Sequence, residues 1–245
     1  MHIIKNKLKE FKLSGIYNSI EERIRYAKEK NMAYEEFLEL ILEDEIANRR
    51  DNSYKKRYNK TKLPNHKTLE DFDFNFQPSI NKRKINDSAT CSFIKEKKNI
   101  VFIGSPGTGK THLSIALGIQ ALKKGYKVLF SQVSEMLNAL NMSKADNSYY
   151  KKAAYYLTPD LLILDELGFK KLPNYSGDDF FEIISKRYEK GSIIITTNKE
   201  FEQWNEIFAD PILSSAILDK IVHHSEIFKI TGQSYRQKNL KKSDR

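Results

Sequence analysis

Ile16, Ile20 and Ile24 recur every fourth residue near the start of the chain, with Glu and Arg filling the gaps. A second segment repeats the spacing, with Phe37 and Ile41 on one row and Leu38 and Leu42 on the next. Apolar residues one helical turn apart, with charge between them, predict amphipathic helices. Residues 1–50 therefore read as two or three small helices, separated near Asn31. They pack on one another, on a partner, or into the main core; the pattern leaves these three open.

From Asn99 the rhythm changes. "NIVFIG", "KVLFSQ", "LLILDE" and "SIIITTN" are short apolar runs with the length of buried strands. Helical segments lie between them. In "THLSIALGIQALKK", Leu113, Leu117 and Ala121 share a face, Lys123 and Lys124 suit the C-terminal dipole, and Gly125 is a natural stop. "SEMLNAL" opens a further helix with Ser134 as its expected cap, and Ser176 and Asp179 have capping-box spacing at the start of another. Strands alternating with helices predict an α/β fold, a parallel sheet covered on both faces. Between the two regions, Pro64 ends any helix, and "LEDFDFNFQP" alternates Phe72, Phe74 and Phe76. That alternation predicts an extended piece with one face pinned on the core. The expected organisation is a helical domain over 1–62, a junction over 63–98 and an α/β core over 99–245.

Composition narrows the class. Of 245 residues 40% are hydrophobic, enough for a sizeable core. No run of about 18 apolar residues is present, and the start lacks the apolar stretch of a signal peptide. A cytoplasmic protein without a membrane partner is expected. The single cysteine, Cys91, excludes an internal disulfide and a Cys-rich metal site. The formal net charge is +10, which favours polyanions. A lysine-rich composition throughout is the plainer account of that total, so location matters more. In "RRDNSYKKRYNKTKLPNHK" the bases Arg49, Arg50, Lys55, Lys56, Arg57, Lys60, Lys62 and Lys67 face one acid, Asp51, with Tyr54 and Tyr58 interleaved. Cations meet phosphates and rings stack on bases, so the stretch reads as a nucleic-acid contact. A solvated linker is the alternative.

The chemistry centres on "GSPGTGKT": Gly104, Ser105, Pro106, Gly107, Thr108, Gly109, Lys110 and Thr111. The spacing is that of the phosphate-cradling P-loop, here between a strand and a helix. The glycines let backbone N–H groups approach the phosphates, and the helix N-terminus adds its dipole. Lys110 would reach the β/γ oxygens and the Thr111 hydroxyl would ligate Mg²⁺. Asp165 ends "LLILDE", at the carboxyl end of a strand, and would hold the same ion. Glu166 can orient and deprotonate an attacking water, which favours hydrolysis over the transfer a metabolite kinase performs. Asn198 could position that water. Phe201 stands where a guanine-reading motif needs Asp, so guanine specificity is rejected. His223 and His224, being adjacent, point apart and read as packing or surface residues.

These residues sit in a wider pattern. "LPNHKTLEDFDFNFQPSI", "GSPGTGKTHLSIALG", "LLILDELGF", "WNEIFADPILSSAILDK" and "IVHHSEIFKITGQSYR" together resemble the IstB-type ATP-binding transposition helpers of bacterial insertion sequences. These belong with the DnaC-type helicase loaders in the AAA+ class. The resemblance spans nearly the whole chain. It implies a five-stranded AAA+ core with a small N-terminal helical domain, and ATP with Mg²⁺ as ligands. It also implies homo-oligomers on duplex DNA that recruit or stimulate a cognate transposase. Asn198 then corresponds to the sensor after the fourth strand and Arg236 to the second sensor. The family's arginine finger falls on Lys220, a point charge without a planar two-pronged donor set. Either Lys220 acts more weakly in trans or Arg187 takes over. A helicase loader, and a DNA-binding scaffold locked by nucleotide without turnover, remain the rival readings.

Overall fold

The computed structural model describes residues 1–169, 172, 176–208 and 210–237. The chain forms two compact units, Met1–Arg57 and a second from Tyr58 onward. The first unit holds helices α1 (His2–Glu10), α2 (Ser14–Lys30) and α3 (Tyr34–Tyr58). Asn31 ends α2 in the left-handed conformation, φ 48°, as the sequence break suggested. Ile16 and Ile20 are buried on α2. Gly15, buried on the same helix, lets α2 and α3 touch, since a Cβ there would stand 2.6 Å from the Asp44 carbonyl oxygen. The buried carboxylate of Glu45 accepts the Gly15 and Ile16 N–H groups at 2.7 and 3.3 Å. It thus satisfies orphan donors of the α2 N-terminus from a neighbouring helix. Arg23 adds a two-pronged pair to Asp44 at 2.9 and 2.8 Å. Leu38 and Leu42, expected on a packed row, are 54% and 53% exposed.

The second unit begins with α4 (Lys82–Ala89) and α5 (Ser92–Lys95). Strand β1 (Asn99–Gly104), helix α6 (Lys110–Lys123), β2 (Val128–Gln132), α7 (Val133–Ala145), α8 (Tyr149–Leu157) and β3 (Leu161–Leu167) follow. Then come α9 (Ser176–Arg187), β4 (Ser192–Thr197), a single 3₁₀ turn (Phe201–Gln203), α10 (Asn205–Phe208), α11 (Pro211–Val222) and β5 (Ser225–Ile230). The five strands form one parallel sheet in the order β2-β3-β4-β1-β5. Successive side chains of a strand face opposite sides. Along β3, Leu162 and Leu164 enter a cluster with Met136, Phe180, Trp204 and Ile217, while a Cβ on Gly118 of α6 would meet Ile163 at 2.8 Å. With β4 between β1 and β3, the carboxyl ends of three central strands open side by side. Ligands of open α/β sheets bind there.

Several local expectations change. The basic stretch is helical as far as Tyr58, because α3 continues unbroken. The Phe-rich segment is a run of turns and not an extended piece. Asp71 accepts the Thr68 N–H and hydroxyl at 3.2 and 2.8 Å, and Asp73 accepts the Phe76 N–H at 3.0 Å. Such side-chain bonds to nearby backbone compete with a ladder and fold the chain over. Ser134 is not a cap: α7 starts at Val133. The Asp179 carboxylate is bound by Lys144 at 2.8 Å and the Tyr149 hydroxyl at 3.1 Å. Strand β5, which no apolar run announced, lies at the sheet edge with Phe228 and Ile230 buried and Ile227 and Lys229 exposed on the other face.

Candidate functional site

The P-loop runs from the end of β1 into the start of α6, with Gly107 and Gly109 at φ 81° and 99°. Both conformations suit glycine. Space makes the same demand: a Cβ on Gly107 would stand 2.1 Å from the Ser234 hydroxyl oxygen, and one on Gly109 would stand 2.5 Å from the Phe72 ring. The loop is therefore held between the Phe-rich turns and the segment after β5. The Tyr235 N–H donates to the Gly107 carbonyl at 2.9 Å. Lys110 donates to the carbonyls of Gly104 and Ser105 at 2.6 and 2.8 Å. Burial pulls its ammonium below the ordinary lysine range, and Asp165 pulls it back.

Asp165 is 3% exposed. Its carboxylate accepts the Thr111 hydroxyl, 2.9 and 3.1 Å from its two oxygens, and the Thr196 hydroxyl at 2.5 Å. Burial pushes its carboxyl above the usual carboxylate range, opposed by these two hydroxyls and by Lys110. Glu166 is exposed and adopts φ 63°, a left-handed conformation uncommon for a side-chain-bearing residue. It sits where the β3–β4 register slips between Leu164 and Leu167.

A cleft of about 110 Å³ brings Lys110, Thr111, Glu166, Thr196, Asn198 and Arg236 together. Ser105, Pro106, Thr108 and Gly109 complete the loop beside it, with the Thr108 hydroxyl donating to the Ser105 carbonyl at 2.8 Å. A second cavity of about 270 Å³ adjoins the loop, lined by Pro64, Phe72, Gln77, His112, Ile115 and Tyr235, and Arg236 borders both. The sequence pattern missed this second wall. Its parts lie far apart in the chain: Gln77 donates to the Gln233 carbonyl at 2.8 Å across 156 positions. Only the aromatic richness of the junction hinted that it faced something. The donor set fits ATP and Mg²⁺. Backbone N–H groups, Lys110 and Arg236 would take phosphate oxygens, and the larger cavity, walled by Phe72, Ile115 and Tyr235, would take the base. Thr111 and Asp165 would hold the cation, which supplies charge neutralisation at the phosphates when bound.

Not every candidate reaches this cleft. Lys220 is half-buried on α11, its ammonium 5.1 Å from the Tyr188 ring and 6.0 Å from the Phe181 ring. Arg187 is 1% exposed. Its guanidinium donates to the carbonyls of Tyr156, Leu157, Pro159, Asp160 and Ser192 at 2.8–3.3 Å. A side chain so engaged cannot extend to a neighbouring subunit, so the alternative finger is corrected to a structural pin. The His223 and His224 rings lie tilted against Tyr188, with centroids 6.4 and 5.8 Å away. Of the basic candidates, Arg50, Lys55, Lys56 and Lys60 are exposed. Arg49 is paired with Glu45 at 2.7 Å, Arg57 donates to the Ser53 hydroxyl at 2.5 Å, and Lys62 lies 5.4 Å from the Tyr155 ring.

His112 ties the Phe-rich turns to α6: its Nε2 lies 2.7 Å from the Thr68 carbonyl and its ring meets Phe72 edge-on. Burial holds its pKa below the ordinary histidine value. The unfolded chain thus binds this proton more readily, so the folded state is favoured above pH ~6.5 and loses that advantage as pH falls through the folded pKa. Between pH 7.5 and 5 the melting temperature should fall, and His112→Gln should flatten the fall. An unaltered profile would place the dependence elsewhere.

Comparison with known proteins gives this site a setting. The chain is 42% identical over 211 residues to a Geobacillus stearothermophilus protein whose name assigns it to insertion sequence IS5376 and to ATP binding, covering 86% of this chain and 84% of that one. It is 37% identical over 243 residues to the corresponding IS21 protein of Pseudomonas aeruginosa, covering 99% and 92%. Among solved structures it matches the DnaC helicase loader with a TM-score of 0.52 and 26% identity, covering 72% of this chain and 99% of that chain. It also matches AMPPCP-bound DnaA from Aquifex aeolicus, with a TM-score of 0.54 and 24% identity over 72% of this chain, spanning 54% of the DnaA chain. The fold is thus that of the AAA+ ATPases. The family model described as IstB-like ATP-binding protein matches residues 6–243, and the chain belongs to that family.

Proposed function

We propose that this protein is a DNA-stimulated ATPase that assists transposition. ATP assembles copies of the chain on duplex DNA, the assembly recruits or stimulates a transposase, and hydrolysis takes it apart. The gathering of Thr111, Glu166, Asn198 and Arg236 around one cleft beside buried Asp165 carries this reading. Loop and ion site bind the triphosphate, the exposed acid activates water, and Asn198 and Arg236, which line the same cleft, contact the γ-phosphate. Water is deprotonated by Glu166 and its oxygen bonds to the γ-phosphorus. The bond to the bridging oxygen breaks, and its electron pair leaves with ADP. Lys220 remains the residue proposed to act on the neighbouring subunit. The domain roles follow: helices over 1–62 meet DNA or the transposase, and the core from residue 99 binds and hydrolyses ATP.

The relatives' insertion-sequence names favour a transposase partner over a replicative helicase. ATP turnover and sedimentation, with and without duplex DNA, test the reading. Turnover indifferent to DNA, from a chain that stays monomeric with ATP and DNA, would refute it.

The basic helix end supplies a second check. Replacing Lys55, Lys56 and Arg57 by Gln removes up to three phosphate contacts. The slope of log affinity against log salt should then flatten by up to about 3. An unchanged slope returns the stretch to a solvated helix end.

A further inference from the structure

Thr196, next to the last residue of β4, is 1% exposed. Ile193, Ile194 and Ile195 precede it, and the site would accept valine by shape. The hydroxyl is what distinguishes the residue. It donates to Asp165 Oδ1 at 2.5 Å and accepts the Glu166 backbone N–H at 3.0 Å. A hydroxyl has one proton and two lone pairs, so a single oxygen can serve both acids at once.

The Glu166 backbone needs such an anchor. Beside the register slip, its N–H is taken by this side chain, and its φ of 63° is unfavourable unless the surroundings impose it. That conformation is what turns a residue at the end of β3 toward the cleft. Thr111 holds Asp165 from the P-loop side, so Thr196 is the partner that ties Asp165 to Glu166.

We infer that Thr196 is a positioning residue for ATP hydrolysis: its hydroxyl holds the Asp165 carboxylate and the Glu166 backbone in register, aiming the Glu166 carboxylate at the attacking water. The inference rests on the proposed hydrolytic role of Glu166. Thr196 itself gains and loses no proton in the step.

Thr196→Val keeps the shape and removes the hydroxyl. Its kcat should fall by about 10–100-fold, the scale for losing a residue that orients an active-site ligand. The KM for ATP should stay near the parent value, because the loop is untouched. Thr196→Ser should recover most of the rate. A readout without nucleotide accompanies these: the Glu166 amide, followed by NMR, should exchange faster in Thr196→Val and at the parent rate in Thr196→Ser. If Thr196→Val does not fold, Thr196→Ala carries the same measurements. Parent-like kcat and Glu166 exchange in the hydroxyl-free variant would overturn the inference, as would equal losses in the Val and Ser variants. A parent protein that binds ATP without turnover would remove the hydrolytic reading, and the exchange rates would still decide whether the hydroxyl anchors Glu166.

Discussion

Glu166→Gln is expected to bind ATP as the parent does and to hydrolyse it about 10²–10⁴-fold more slowly, the usual contribution of a positioned general base. The amide keeps the size and hydrogen-bonding reach of the carboxylate but cannot take a proton from water. Glu166 makes none of the contacts that build the loop: Lys110 bonds the Gly104 and Ser105 carbonyls, and Asp165 bonds Thr111. Removing the base therefore leaves the grip intact. ATP-dependent assemblies on DNA should persist, since their dismantling depends on turnover. Lys110→Ala gives the contrasting outcome, with affinity lost and no assembly formed. Single-turnover hydrolysis together with nucleotide affinity separates the two variants. Parent-rate turnover by Glu166→Gln would move the base to another residue.

Arg187→Met is expected to cost a few kcal/mol of stability, since each buried acceptor left unpaired costs about 1–3 kcal/mol. Five backbone carbonyls converge on one guanidinium. They come from the end of α8, the loop into β3 and the first residue of β4. Methionine fills part of the volume and donates nothing, leaving buried acceptors unpaired. Arginine suits the place because its planar fork presents five N–H groups in fixed directions, and a lysine could answer only some of the carbonyls. Gly191 completes the fit, since a Cβ there would stand 2.6 Å from the guanidinium. Burial pushes the Arg187 pKa down to about 10, with the negative charge of Asp160 opposing the shift. Denaturant or thermal unfolding reads the loss, at roughly 2–4 °C per kcal/mol for a chain of this size. Turnover per folded molecule should be unchanged. A stable but inactive Arg187→Met would instead restore a catalytic role to this arginine.

The pattern of residues determined much of this protein by itself. Four apolar runs became β1 to β4, because a strand buried on both faces must be continuously apolar. The P-loop, Asp165, Glu166 and Asn198 were legible for a related reason. Each sits at a strand end, and the spacing of a local motif is set by covalent geometry. Strand β5 was hidden because it buries only the alternate residues Phe228 and Ile230, whereas the other edge strand, β2, is buried along its first four residues. Tertiary structure decided what sequence spacing cannot carry. Arg187 looked like a free cation at a helix end, and only the fold of β3 and β4 around it made it a buried pin. The Phe-rich stretch looked extended until Asp71 and Asp73 bonded the nearby backbone of Thr68 and Phe76 and turned it into a wall of the cavity beside the loop. Thr196 was one more β-branched residue in a strand until β3 and β4 paired. That pairing set its hydroxyl between two acids about thirty positions away. Local geometry thus specified the strand–loop–helix of the P-loop, and long-range packing specified what surrounds it.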